Sequence, residues 1–96
     1  MSYLASELTP YDSHKSFYGK AVEYYNDKTG EYFLKSYSTI VAKITPDGKI
    51  FIDGEYSATT RRHIYAFAEK HGVSIANIKE MRKIIEESKG TVIELE

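Results

Sequence analysis

Residues 21–53 alternate between apolar and polar positions with a period of two, which is the pattern of half-buried β-strands. Four segments carry the pattern: residues 21–26, 31–37, 39–45 and 49–53. The sequences between them favour tight turns, because Pro46 fixes φ and because Gly30 and Gly48 tolerate left-handed backbone geometry. The pattern therefore predicts a four-stranded antiparallel meander.

After residue 56 the apolar period changes from two to 3.6 residues, which indicates helices. Ser57 is the candidate N-cap of a first helix that runs to about His71, and Gly72 suits the end of that helix. Ser74 is the candidate N-cap of a second helix that runs to about Lys89. The fold class is therefore predicted to be α+β, with both helices packed on one face of the sheet.

The two ends of the chain carry weaker patterns. Residues 1–10 show no periodicity and predict a flexible N-terminal arm. Residues 91–96 alternate weakly, which predicts either a short C-terminal strand or a frayed end. With 96 residues in all, the chain has the length of one domain, which we assign to residues 11–96.

Composition narrows the classes of function. The formal net charge of −1 lacks the strongly basic footprint of a protein built to bind duplex DNA. The absence of cysteine excludes disulfides and thiolate metal sites, and fits the cytoplasm. No apolar run reaches the length of a membrane span.

The residue types used in catalysis and metal binding occur without the required spacing. Asp12, Ser13 and His14 are the three residue types of a catalytic triad, but sequence neighbours seldom orient one another as a triad needs. A polar loop is the favoured interpretation, and we predict no enzymatic activity. His63 and His71 would lie about 12 Å apart on one helix, too far for one ion, so no metal and no cofactor are expected.

A binding role is favoured instead by the start of the first helix. Free backbone N–H groups there attract anions, and arginine and tyrosine dominate the energetics of many protein interfaces. The predicted partner-binding residues are Tyr56, Thr60, Arg61 and Arg62. The simpler alternative is structural: Ser57 caps the helix while the arginines are solvated or pair with Glu55 and Asp53. Tyrosines on both faces of the predicted sheet also imply exposed aromatic surface, which suits protein contacts or base stacking.

A helix-turn-helix is the alternative binding motif. Its characteristic spacing is matched by small and apolar residues along the two predicted helices: Ala68, Gly72, Val73, Ile78 and Met81. The recognition helix would open at Ser74 and present Asn77, Lys79 and Lys83 to DNA. No preceding third helix is evident, and the charge is close to neutral, so specific binding to duplex DNA is not expected.

Four segments also carry a resemblance to a known family. They are Tyr11-Asp12-Ser13, Lys15-Ser16-Phe17-Tyr18-Gly19-Lys20-Ala21, Ser36-Tyr37-Ser38-Thr39-Ile40-Val41, and Tyr56-Ser57-Ala58-Thr59-Thr60 through Arg62-His63-Ile64. This set resembles small proteins carried by phages and plasmids of Firmicutes, some of which look like anti-CRISPR proteins directed against the type II RNA-guided nuclease. The resemblance covers roughly residues 11–72 and supplies no catalytic residue.

The resemblance implies a stoichiometric inhibitor that binds the nuclease of the host cell and blocks guide loading or activation. Such a nuclease holds its guide and heteroduplex in a positively charged channel. Acidic residues near the C-terminus have the complementary charge: Glu86, Glu87, Glu94 and Glu96. A solvated acidic face is the simpler interpretation of these residues.

Overall fold

The computed structural model describes residues 3–7 as backbone, and residues 20–91 and 93 in full. Five antiparallel strands form one sheet in sequence order, and two helices follow. The strands are β1 Tyr3–Glu7, β2 Ala21–Asn26, β3 Glu31–Ser36, β4 Thr39–Ile44 and β5 Ile50–Ile52. The helices are α1 Ala58–Lys70 and α2 Ile78–Glu87. The predicted α+β class, with its four-stranded meander and two helices, is confirmed.

The first predicted turn closes because of a glycine. Gly30 has a φ of 76°, and its N–H donates to the carbonyl of Asn26 over 2.8 Å. A Cβ atom at this position would lie 2.9 Å from the Cγ atom of Pro46 in the neighbouring turn. Two features therefore require glycine at this position: the positive φ angle and the close approach of Pro46.

The N-terminal segment differs from the prediction of a flexible arm. Residues Tyr3–Glu7 form β1, which pairs with β2 from Tyr3 opposite Asn26 to Glu7 opposite Val22. The prediction of a flexible arm is wrong for these residues. The backbone groups along the outer edge of β2 can pair with a segment whose side chains show no alternating pattern. The other residues of the segment 1–10 lie outside the described part of the chain.

The core lies between the sheet and α1. The register of β3 and β4 shifts between Leu34 and Lys35, and the neighbouring β4 residues Val41 and Ala42 are both buried in the core. Such a shift is a β-bulge, which bends a strand and re-aims its side chains. The largest fully buried apolar side chains come from the sheet and from both helices: Leu34, Val41, Ile52, Ile64, Phe67 and Met81.

The two helices take different positions on the sheet. Helix α1 packs on β3 and β4, and α2 lies beside β5. Ser88, which follows α2, accepts a hydrogen bond from the N–H of Ile52 over 3.1 Å and donates to the carbonyl of Ile84 over 2.7 Å. The end of α2 therefore satisfies a backbone donor of β5, the last strand of the sheet, and covers that edge.

Helix α2 begins later than the sequence predicts. Its N-cap is Asn77, whose side chain accepts from the N–H of Glu80 over 3.0 Å, whereas Ser74 is exposed in the connection between the helices. The prediction of Ser74 as the cap is wrong. Val73 and Ile75 lie in this connection and pack on the core, so their apolar positions resemble the first turn of a helix. At the other end, Thr91 and Ile93 are not in a strand, and the remaining residues of 91–96 lie outside the described part.

The position of the α2 cap can be tested by two matched substitutions. We expect Asn77→Ala to lower the free energy of unfolding by about 1 kcal/mol, because the N–H of Glu80 loses its acceptor. Ser74→Ala should change it by less than about 0.5 kcal/mol, as at an exposed site without a partner. Urea denaturation followed by circular dichroism measures both. The reverse order of the two effects would place the start of the helix at Ser74.

Candidate functional site

A buried hydrogen-bonded cluster joins the first half of α1 to the end of β3. We call it the Ser36 cluster, and it consists of Ser36, Thr60 and His63. The Oγ atom of Ser36 lies 2.7 Å from Nδ1 of His63 and 3.1 Å from Oγ1 of Thr60. A neutral imidazole whose Nδ1 is unprotonated satisfies all three groups, because Ser36 then donates to His63 and accepts from Thr60.

The surroundings of His63 favour this neutral form. His63 is 1% exposed, and burial lowers its pKa below the ordinary 6.5, with further lowering by the positive charges of Arg62 and Lys20. Ser36 is buried as well, so its hydroxyl offers no surface to a substrate. The Ser36–His63 pair therefore has the residue types of a nucleophile and its base, but the geometry of an internal structural contact.

Tyr37 lies directly over this cluster and is exposed. The residue is 51% exposed, and its ring lies 5.7 Å from the imidazole of His63, centroid to centroid. Its φ is 57°, an uncommon left-handed geometry for a bulky residue, and its N–H donates to the carbonyl of Lys20 over 2.7 Å. The sequence pattern places residue 37 in a strand, whereas the structure places it in the β3–β4 turn. This exposed ring is the kind of aromatic surface that the tyrosine content predicts.

A second polar cluster, built around a buried carboxylate, joins the end of α1 to β2. We call it the Glu23 cluster, and it consists of Glu23, Lys70 and His71. The Glu23 side chain is 6% exposed, and its two oxygens lie 2.6 Å from Nζ of Lys70 and 2.7 Å from Nε2 of His71. The His71 ring also packs 4.1 Å from the ring of Tyr32. A buried carboxylate is stable only when it is paired in this way, so the Glu23 cluster fixes the end of α1 on the sheet.

The outer face of α1 carries a different kind of surface. Arg62, Tyr65 and Glu69 recur at spacings of three and four residues along one side of α1, and we call them the α1 stripe. Tyr65 is partly buried and also packs against the core. At its C-terminal end the stripe opens into a groove with a volume of about 520 Å³. The groove is lined by α1 and by the connection to α2: Tyr65, Glu69, Gly72, Val73, Ser74, Ile75 and Ala76. It combines apolar walls with one carboxylate.

The structure brings the predicted partner-binding residues together at the start of α1, where Ser57 caps the helix as predicted. Thr60, however, is 6% exposed and bonded to Ser36, so the prediction that it faces a partner is wrong. Tyr56 donates to Asp53, and its pKa is raised to about 12 by burial and by that carboxylate. Arg61 donates to the carbonyl of Tyr56 over 3.1 Å. Contact of Tyr56, Arg61 and Arg62 with a partner stays a prediction.

The three residues predicted to contact DNA lie at the N-cap and on the exposed side of α2. Asn77 is the cap of α2, and Lys79 and Lys83 are exposed one turn apart on that helix. Residues 71–77 separate α1 from α2, which is longer than the turn of three or four residues in a helix-turn-helix. The arrangement of that motif is therefore not formed by these two helices.

Several predicted features lie outside the part of the chain that the structure describes: Asp12, Ser13, His14, Glu94 and Glu96. Glu86 and Glu87 are exposed at the end of α2, where Glu86 pairs with Lys89 over 3.0 Å. Within the described residues, no three histidine or acidic side chains lie close enough together to hold a metal ion. Neither α1 nor α2 has the length and apolar character needed to cross a bilayer.

These features define an α+β protein whose buried polar clusters fix one helix on a five-stranded meander. A family model matches residues 6–87, and the chain belongs to that family, described as a family of unknown function (DUF8033). No curated protein and no solved structure matches the chain. The matched region includes β2 to α2, and with it both polar clusters and the α1 stripe.

Residue pairing in the Ser36 cluster was not predictable from sequence spacing, because Ser36 and His63 lie 27 positions apart. One residue of the Glu23 cluster, Glu23 itself, can be recognised from the sequence. Strand alternation places Glu23 on the same side as Ala21, which faces the core, and a carboxylate at an inward position requires a cation. The sequence does not say that Lys70 and His71 are the partners of Glu23.

The neutral state of His63 predicts a pH dependence of stability. In the unfolded chain His63 titrates near 6.5, whereas its folded pKa is lower. Between those two values the unfolded state binds more protons, so the free energy of unfolding should fall as pH falls below about 6.5. NMR titration of the His63 ring should give a midpoint below 6.5. A midpoint at or above that value would contradict the neutral, buried imidazole.

The Glu23 cluster predicts an unequal response to charge removal. We expect Glu23→Gln to lower the free energy of unfolding by about 1–3 kcal/mol, because two charge-assisted hydrogen bonds of a buried carboxylate are lost. Glu55→Gln is the matched control, since Glu55 pairs with Arg82 on the surface, and such pairs contribute at most about 1 kcal/mol. Urea denaturation curves give the free energy of unfolding of both variants. Equal effects would show that the Glu23 cluster does not stabilise the fold.

Proposed function

We propose that this protein is a stoichiometric inhibitor that binds a type II RNA-guided nuclease in the cytoplasm of the host cell and blocks guide loading or activation. The class of partner comes from the sequence resemblance described above. The geometry supports the binding part of the proposal. The single observation that carries it is the open groove between α1 and residues 72–76, with the α1 stripe leading into it.

The groove suits a protein segment with an apolar side chain next to a basic one. Its apolar walls come from Tyr65, Val73 and Ile75, which remove apolar surface from water when a partner side chain fills the space. Glu69 stands at the same groove and complements a lysine or arginine of the partner. A nuclease whose channel is rich in basic residues offers such segments.

The location of the histidines also supports binding rather than turnover. His63 is held by Ser36 inside the fold, and His71 is held by Glu23 at the end of α1. Both histidines therefore serve the attachment of α1 to the sheet.

Inhibition should follow the ratio of the two proteins. We expect target cleavage by a nuclease from a Firmicutes host to fall to background near one inhibitor per nuclease, and to stay there without recovery. The measurement is a cleavage assay at fixed nuclease with increasing inhibitor, added before or after the guide RNA. Normal cleavage in several-fold excess of the protein, across nucleases of such hosts, would contradict the proposal.

Substitutions that fill the groove test whether the groove is the surface that inhibits the nuclease. Ser74→Arg and Ala76→Arg place long side chains at exposed positions of the groove wall, so the melting temperature should not change. We expect the pair to weaken inhibition by about 30-fold, which corresponds to about 2 kcal/mol for a loss at an interface hot spot. Thr39→Arg, at the exposed first residue of β4, adds the same group away from the groove and should leave inhibition intact.

A further inference from the structure

The connection between the helices forms one wall of the groove, and its backbone donors point away from the secondary structure around it. Residues 73–76 belong to no helix, strand or turn. The N–H of Val73 donates to the carbonyl of Ala68 over 2.9 Å, at the end of α1. Among the described residues, no group accepts a hydrogen bond from the N–H groups of residues 74–76. Three consecutive donors therefore lie in the wall of the groove.

Side chains along the same segment alternate between the core and the solvent. Val73 and Ile75 are partly buried and pack against the core, whereas Ser74 and Ala76 are exposed. This alternation has the period of two of an extended chain, whose backbone groups point sideways. The next residue, Asn77, is extended, with a φ of −163° and a ψ of 178°. The segment therefore resembles a short strand.

The opposite wall of the groove supplies a ring and a carboxylate. Tyr65 and Glu69 lie one turn apart on α1 and both line the groove. Glu69 is exposed, and its carboxylate forms no ion pair with the residues that the structure describes. Four other glutamates do pair with basic side chains: Glu23, Glu31, Glu55 and Glu86. The charge of Glu69 is therefore left to complement a cation of the partner.

We propose that the groove binds an extended segment of the partner protein, which pairs with the backbone of residues 73–76 as an added strand. The inference rests on the proposed function for the identity of the partner and on the geometry of the groove for the binding mode. In strand addition, main-chain hydrogen bonds give affinity and alternate side chains give specificity. An apolar side chain contacts Tyr65 and Val73, and a lysine or arginine two positions along the segment reaches Glu69.

An amphipathic helix is the other common occupant of an apolar groove, and it fits this groove less well. The backbone groups of a helix are bonded to one another, so a helix offers its side chains alone. Covering the N–H groups of residues 74–76 without giving them an acceptor carries a desolvation cost. An extended segment supplies the missing carbonyl groups, which is why the geometry favours a strand.

The test uses blocked synthetic peptides of about nine residues, the length of a strand, without the nuclease. The first peptide is polythreonine with a leucine and an arginine two positions apart at its centre, and the second has the same two residues adjacent. NMR amide shifts of the isotope-labelled protein measure binding. We expect the first peptide to bind with a Kd of about 1 mM, because a short peptide buries little surface, and to shift the amides of residues 74–76. The second should bind at least about fivefold more weakly, since its two side chains point to opposite faces.

Backbone methylation of the first peptide tests the pairing itself. Two versions carry methyl groups on alternate nitrogens, one at odd and one at even positions, so that only one version blocks the edge that faces the protein. We expect that version to lose binding and the other to retain it. Retained binding by both versions would overturn strand addition. Equal binding of a helical peptide, with the leucine and arginine one turn apart, would also overturn it.

A matched pair of substitutions tests the carboxylate. Glu69→Gln should weaken binding of the first peptide by about threefold, as for the loss of an exposed ion pair. Glu87→Gln removes the same charge from an exposed position at the end of α2 and should leave the affinity unchanged. Equal effects of the two substitutions would contradict the role of Glu69. The melting temperature of both variants should equal that of the parent.

The peptide assay and the cleavage assay separate the two proposals. No shift of the amides of residues 74–76 with any peptide, while the protein still inhibits the nuclease, would overturn strand addition and retain the proposed function. Binding of the first peptide without inhibition would contradict the proposed function and retain the binding mode. Self-association that Ser74→Arg abolishes, measured by sedimentation equilibrium, would make a second copy of the chain the occupant and overturn the inference.

Discussion

The position of α1 across the sheet depends on polar contacts to two buried side chains of the sheet, Ser36 and Glu23. Ser36 in β3 holds His63 and Thr60, and Glu23 in β2 holds the last residues of the helix. Apolar packing supplies most of the favourable free energy but is not directional, and cores tolerate alternative packings of similar volume. Hydrogen bonds between buried groups permit one register only, because any other leaves a polar group unsatisfied.

This attachment gives the molecule two unlike sides. On one side α1 covers the sheet and presents the α1 stripe and its groove to solvent. On the other side Tyr24, Phe33, Lys43 and Phe51 lie in one row across β2 to β5, and Phe33 in the middle of that row is buried. His63 and His71, the two histidines in the described part of the chain, hold the helix on the sheet. The proposed function rests on the groove of the first side.

The sequence predicts the meander and α1 well, because tight turns and an N-cap leave local signals at Gly30, Gly48 and Ser57. It misses β1, since pairing of a strand through its backbone leaves no side-chain pattern. It also places the start of α2 at Ser74, because apolar residues of a packed connection resemble a helical stripe. The polar clusters were missed for a different reason: they join positions 24 to 48 residues apart, and spacing carries no information about such contacts.

A double-mutant cycle on Ser36 and His63 tests most directly whether a specific polar contact holds α1 on the sheet. The free energy of unfolding is measured at about pH 7.5, where the imidazole is neutral, for the parent, Ser36→Ala, His63→Leu and the double variant. The account predicts a coupling energy of about 1 kcal/mol or more between the two positions, because each residue is the partner of the other. Additive effects, within about 0.5 kcal/mol, would show that the two side chains act independently and would contradict the account.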